Sequence, residues 1–178
     1  MKQPIIVHPA ESSDSLSLYA MQRSLAYYCD YDMEKFGLTE EHIKKTIETD
    51  DQAHYFIAKH FDNKLGMMLC HRIPLSWRGT SGVYVEDLYV KDRFRHGMGV
   101  GKLLIKQACK LAVEYADEPE NAFIRLDTHL ADNEDTLRFY RRLGMEEDNV
   151  NLRLAGQAVL DLANTIPSGP VETQNFEI

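Results

Sequence analysis

Residues 93–104, RFRHGMGVGKLL, put glycine at three alternate positions, Gly97, Gly99 and Gly101. The segment lies between a strand-like stretch and a helix-like one. Upstream, VYVEDLYV (83–90) is dense in valine and tyrosine and reads as a β-strand carrying two acids, Glu86 and Asp87, in its middle. Downstream, Leu103, Leu104, Ala108, Leu111, Ala112 and Tyr115 recur at helical spacing, with Lys102, Lys106 and Lys110 on the other side. A strand, a glycine turn and a helix in that order form a cradle for an anion. Glycine lets the backbone approach closely and turn its N–H groups outward, and the helix start contributes roughly half a positive charge. The same glycines would also serve a plain tight connection between strand and helix.

Spacing excludes two familiar cradles. A P-loop needs glycine where His96 stands and Ser or Thr where Leu103 stands. A dinucleotide fingerprint, GxGxxG in the first turn of a parallel βαβ unit, fits neither the Gly97/Gly99/Gly101 spacing nor its place late in the chain.

The rest of the chain reads as follows. PIIVHPA is a first strand, and SSDSLSLYAMQRSLAYY a helix whose Ser/Asp cluster supplies N-cap oxygens. LTEEHIKKTIE is a second helix, with Thr39 as its N-cap. AHYFIAKHF and LGMMLCHRI pair as a hairpin about DNK. After the glycine helix come a strand in AFIRLDT, a helix in NEDTLRFYRRL stopped by Gly144, and a last strand in NVNLRLA (149–155). The expected organisation is one domain over 1–164, followed by an irregular tail over 165–178 that carries Pro167, Gly169 and Pro170.

Composition narrows the function. A net charge of -8 argues against broad contact with nucleic acid or an anionic membrane and is compatible with a cationic substrate. No apolar run approaches the roughly 20 residues of a membrane span, and MKQPIIVHPAESSD lacks a secretory pattern, so a soluble cytoplasmic protein is expected. Cys29, Cys70 and Cys109 read as free, mostly buried thiols; with the histidines scattered, no metal site is expected.

Two motifs carry a resemblance. VEDLYVKDRFRHGMGVGKLLIKQA resembles the acyl-coenzyme A binding motif of the GNAT superfamily of N-acetyltransferases: an acidic strand ending in LYV, a polar turn, an arginine, then GxG opening a helix. NEDTLRFYRRLGM (133–145) is similar to the family's later Asn-x-x-Ala-x-x-Phe-Tyr-x-x-x-Gly-Phe, with Thr136 and Met145 as departures. The resemblance covers about residues 4–155 and implies an α+β GNAT fold, a mixed, mostly antiparallel twisted sheet flanked by helices.

It further implies an enzyme that moves an acetyl group from acetyl-CoA to a primary amine. The acceptor expected is a small polyamine-like or amino-acid-derived cation, as in the spermidine/spermine acetyltransferase-like group. An aminoglycoside, a protein amine or a silent acyl-CoA-binding module are the alternatives. Glu86 is then the general base, with burial expected to raise its pKa, and Tyr140 the general acid. Asp87 holds the substrate ammonium. The backbone of Leu88, Tyr89 and Val90 pairs with the pantetheine amides. Arg95, His96, Gly97, Met98, Gly99, Val100, Gly101 and Lys102 surround the pyrophosphate, and Asn133 bonds the coenzyme arm. The loop is one residue off the usual register, so either Arg95 or His96 would meet the pyrophosphate. Tyr27, Tyr28 and Asp30, with Tyr31, Asp32 and Glu34 nearby, would wall the acceptor pocket by aromatic and carboxylate groups. Members are often dimers, so a homodimer is a further expectation.

Overall fold

Five strands, Ile6–Pro9 (β1), Ala53–His60 (β2), Asn63–Leu75 (β3), Thr80–Val90 (β4) and Ile124–Leu126 (β5), form one mixed sheet in the computed structural model, which describes residues 4–128 and 134–147. Four helices flank it: Ser15–Tyr28 (α1), Glu40–Thr49 (α2), Val100–Tyr115 (α3) and Glu134–Arg142 (α4). The strands lie in chain order. Neighbours from β1 to β4 are antiparallel, β2, β3 and β4 through short connections and β1 to β2 through α1 and α2, whereas β4 and β5 are parallel, since α3 carries the chain back across the sheet. This is the α+β architecture expected. The chain divides into two compact units, Met1–Leu143, which holds every element named here, and Gly144–Ile178, of which residues 144–147 are described. The expected last strand (149–155), the tail (165–178) and Asn133 lie outside the described residues.

Each face of the sheet buries one helix layer. Leu18, Met21 and Ile43 of α1 and α2 pack on Tyr55, Ile57, Met67, Leu69 and Tyr89. On the other face Val100, Leu104, Ile105, Ala108, Leu111 and Ala112 of α3 pack on Phe56, Met68, Cys70, Val83 and Val85, with Phe139 and Tyr140 of α4 against the same cluster. Of the helical stripe read from the sequence, Leu104, Ala108, Leu111 and Ala112 are buried and Leu103 and Tyr115 half-buried, while Lys102, Lys106 and Lys110 are exposed. A large apolar side chain so buried contributes about 1.5–3 kcal/mol, so α3 is a principal source of stability.

Local chemistry departs from expectation in three places. The β2–β3 turn is tighter than DNK: Phe61 and Asp62 alone make it, with Phe61 at φ 53°, while Asn63 and Lys64 join β3. Asp14 does not cap α1 with its side chain; its carboxylate accepts from the Glu11 N–H at 3.1 Å and pairs with Lys64 at 2.7 Å, tying the helix entry to β3. Of the three thiols, Cys70 alone is buried. Cys29 is half-buried, and Cys109 is exposed because it falls on the lysine side of α3. Thr39 caps α2 as expected, accepting from the His42 N–H at 3.2 Å.

His54, at the start of β2, bonds the Tyr115 hydroxyl at the end of α3. Burial holds its pKa below the usual 6.5, and His71 adds to this against the opposing pull of Asp50, Asp51 and Glu114. The folded state therefore favours neutral His54. Its contribution is complete above the unfolded pKa and is lost as pH falls from about 6.5 through the folded value. The melting temperature should drop over that window, and a His54→Gln variant should show a flatter dependence; equal slopes would rule His54 out as the cause.

Candidate active site

The middle of β4 is irregular. Leu69 pairs with Asp87 and the next residue, Cys70, with Val85, so Glu86 is an extra residue with no partner on β3. A bulge of this kind breaks the alternation of side chains. Val83 and Val85 face the α3 layer, and so do Leu88 and Val90, whereas Asp87 bonds Gln22 of α1 on the opposite face. Glu86 joins that face by bonding His71, two residues along β3 from Leu69. In a regular strand two consecutive acids would point apart; the bulge turns both toward α1.

Glu86 is not buried, contrary to expectation. Its side chain is 51% exposed and rests on His71, itself 32% exposed. The bulge lifts it out of the sheet and passes the burial to Asp87. Burial raises the Asp87 pKa above the ordinary carboxylate value, and the Glu86 charge adds to this; the Gln22 hydrogen bond and His71 act the other way. Gln22 Nε2 donates to Asp87 Oδ2 at 2.7 Å, and the Tyr55 hydroxyl donates to Gln22 Oε1 at 3.2 Å. His71, Gln22 and Tyr55 were missed in the sequence. The one available signal was Gln22, a polar residue inside the apolar stripe of Leu18, Met21 and Leu25.

The bulge also ends the pairing of β4 with β5. Val83, Tyr84 and Val85 pair with Ile124, Arg125 and Leu126, and beyond them residues 87–90 have no partner strand on that side among the described residues. This is an open main-chain edge. Leu88, Tyr89 and Val90 remain paired with β3 on the other side. The Val90 carbonyl already accepts from Arg95 Nε at 3.1 Å.

At the glycine segment, Gly97 and Gly99 have φ values of 82° and 68°, in the left-handed region that favours glycine. Apart from the adjacent residues, no atom of the described residues lies within 4 Å of where a Cβ would stand at either, which leaves the backbone there uncovered by them. Gly99 is the residue before α3, and its carbonyl takes the first helical bond, from Leu103 at 3.1 Å. The N–H groups of Val100, Gly101 and Lys102 thus lack intrahelical partners. Gly101 serves another purpose: a Cβ there would stand 3.1 Å from Phe139 Cζ, so its bareness seats α3 against α4. His96 and Met98 are exposed. Arg95 is turned away, pairing with Asp92 at 2.9 Å and lying over the Tyr28 ring at 4.2 Å and the Tyr89 ring at 5.8 Å.

The aromatic wall differs from expectation too. Arg23 lies over Tyr27 at 5.7 Å and Arg95 over Tyr28, so each ring already carries one of the chain's own guanidinium groups. Asp32 pairs with Lys35 at 2.7 Å and caps the turn after α1, and Asp30 adopts φ 52°. Tyr140 is half-buried, in edge contact with Phe139, and burial pushes its pKa up to about 12.

The sequence matches the Acetyltransferase (GNAT) family over residues 18–145. None of the curated proteins compared matches it. Among solved structures it is similar to an integron cassette protein of V. cholerae, with a TM-score of 0.67 and 19% identity over 92% of this chain and 99% of that one. It is similar also to an aminoglycoside acetyltransferase from an uncultured soil metagenomic sample, solved with sisomicin (TM-score 0.66, 17% identity, 85% and 95% covered). A third is the ribosomal-protein-alanine N-acetyltransferase of Brucella melitensis biovar Abortus (0.65, 16%, 85% and 99%). At these identities the structures speak for the fold alone. The family match spans the bulged strand, the open glycine loop and the Tyr140 helix together, and the chain belongs to the GNAT acetyltransferases, acyltransferases that use acetyl-CoA as co-substrate.

Proposed function

We propose that the enzyme acetylates the primary amine of a small cationic acceptor, polyamine-like or amino-acid-derived, by direct transfer. The observation that carries this is the bulge at Glu86, which turns two carboxylates to one face beside the point where β4 leaves β5. A net charge of -8 favours a cation at that face. Among the family's groups the reading fits one like the spermidine/spermine acetyltransferases.

The open backbone at Gly97 and Gly99 and the free edge of β4 fit acetyl-CoA. Gly97, Met98, Gly99 and the N–H groups of Val100, Gly101 and Lys102 would hold its phosphates, and the backbone of Leu88 to Val90 its pantetheine amides. Arg95 is engaged on Tyr28, Val90 and Asp92, whereas His96 is exposed, which favours His96 for the pyrophosphate. Bound there, the co-substrate supplies the activated acetyl thioester. Burial raises the pKa of all three thiols, Cys70 to about 12, which argues against a cysteine nucleophile and for direct attack by the amine.

Asp87 attracts and holds the incoming ammonium. Glu86 takes the proton that the amine must lose and, being exposed beside His71, passes it to water. The Tyr140 hydroxyl, kept protonated at neutral pH, gives a proton to the departing thiolate. Tyr140→Phe should lower kcat about 10–100-fold while leaving coenzyme affinity unchanged by calorimetry; unaltered turnover at saturating substrate across pH would remove the assignment.

A thiol-release assay with acetyl-CoA against polyamines, lysine and its analogues, aminoglycosides and basic peptides tests the acceptor class. Turnover confined to small cations supports the proposal. Turnover with aminoglycosides or peptides alone replaces it by one of those classes, and tight coenzyme binding without turnover of any amine favours a silent binding module.

A further inference from the structure

The polar network on the α1 face extends below the two carboxylates. Gln22 is 8% exposed, and its amide is engaged at both ends, by Asp87 and by Tyr55. Tyr55 is 6% exposed, and burial pushes its pKa up to about 12, so it offers a hydroxyl proton throughout the neutral range. That proton goes to Gln22 Oε1, which leaves the NH2 end facing Asp87. An amide turned the other way would set Oε1 against Asp87, and that contact requires a proton on Asp87. The observed arrangement therefore selects the ionised carboxylate. Glu86 from β4, His71 from β3, Tyr55 from β2 and Cys29 at the end of α1 also face Asp87, and Arg95 lies over the neighbouring Tyr28 and Tyr89 rings.

We propose that Gln22, oriented by Tyr55, is a positioning residue that holds Asp87 in one orientation as an anion facing the acceptor, so that α1 and β2 help set the preference for a cationic amine. The proposal rests on the acceptor role given to Asp87 above. Two consecutive carboxylates repel, and without a donor beneath it the more buried of the pair would take up a proton first. Gln22 supplies that donor with no charge of its own, so it leaves the attraction for the substrate undiminished.

Gln22→Leu keeps the volume and removes the donor. Relative to wild type, its acceptor KM should rise about tenfold, the worth of one hydrogen bond to a charged group, with kcat changed far less. The acid limb of kcat/KM should move up by about one pH unit. Tyr55→Phe should shift both in the same direction by less. A readout free of turnover is the carboxylate 13C titration of Asp87, assigned with Asp87→Asn: it should move to higher pH in both variants, with folding checked by circular dichroism and coenzyme binding. An unmoved Asp87 titration in folded Gln22→Leu overturns the proposal; if that variant does not fold, the Tyr55→Phe titration decides on the same terms. A shifted titration with KM and pH profile unmoved upholds the role of Gln22 and instead overturns the acceptor role of Asp87.

Discussion

Replacing Glu86 by glutamine is expected to lower kcat at neutral pH by about 100- to 10,000-fold, the span over which a positioned base contributes to proton transfer. Glutamine preserves the size of the side chain and its contact with His71 but cannot take a proton. Turnover of the variant should rise with pH as the acceptor deprotonates itself, and acceptor KM should change little because Asp87 remains in place. Coenzyme affinity is the control, since Gly97, Gly99 and the β4 edge are untouched. A variant that loses acceptor affinity but keeps kcat and its pH profile would move the base elsewhere, to Asp87 or to solvent.

A large effect on stability is expected at Gly66. A Cβ at this position of β3 would stand 2.5 Å from the Tyr89 carbonyl oxygen and 3.2 Å from the Val90 Cα. Both are backbone atoms of the neighbouring strand and cannot swing aside, so Gly66→Ala must push β3 from β4. The cost should be about 3 kcal/mol, lowering Tm by about 10 °C. Coenzyme affinity should fall with it, because Tyr89 and Val90 belong to the segment proposed to pair with the pantetheine arm. Gly97→Ala is the comparison: nothing lies near its Cβ position, and only the left-handed backbone resists, at about 1–2 kcal/mol. Equal melting temperatures for the two variants would show that β3 and β4 yield more than their geometry implies.

Local patterns carried much of the fold. The buried stripe of α3, the Thr39 cap and the strand after α3 follow from spacing and side-chain chemistry over a few residues. So does the glycine turn, although the division of labour within it does not: Gly101 is bare for the sake of Phe139, 38 positions along the chain by number. The candidate site was legible as an inventory. Glu86 was readable as a candidate base, Tyr140 as a candidate acid and Asp87 as a group to hold an ammonium, yet the burial expected for Glu86 belongs to Asp87.

What the amino-acid sequence determined by itself is the family, the order of elements and the presence of an acid pair before a glycine loop, because these depend on residue types and their spacing. Tertiary structure alone decided that the pair shares one face, since a bulge exists only relative to the strand beside it, in the step from Leu69–Asp87 to Cys70–Val85. It also decided the partners. His71 and Gln22 lie 15 and 65 residues from the acids they touch, and Arg23 and Arg95 occupy tyrosine faces that composition left free for a substrate. Charge and burial at a site are sums over neighbours in space, and most of those neighbours are remote in sequence.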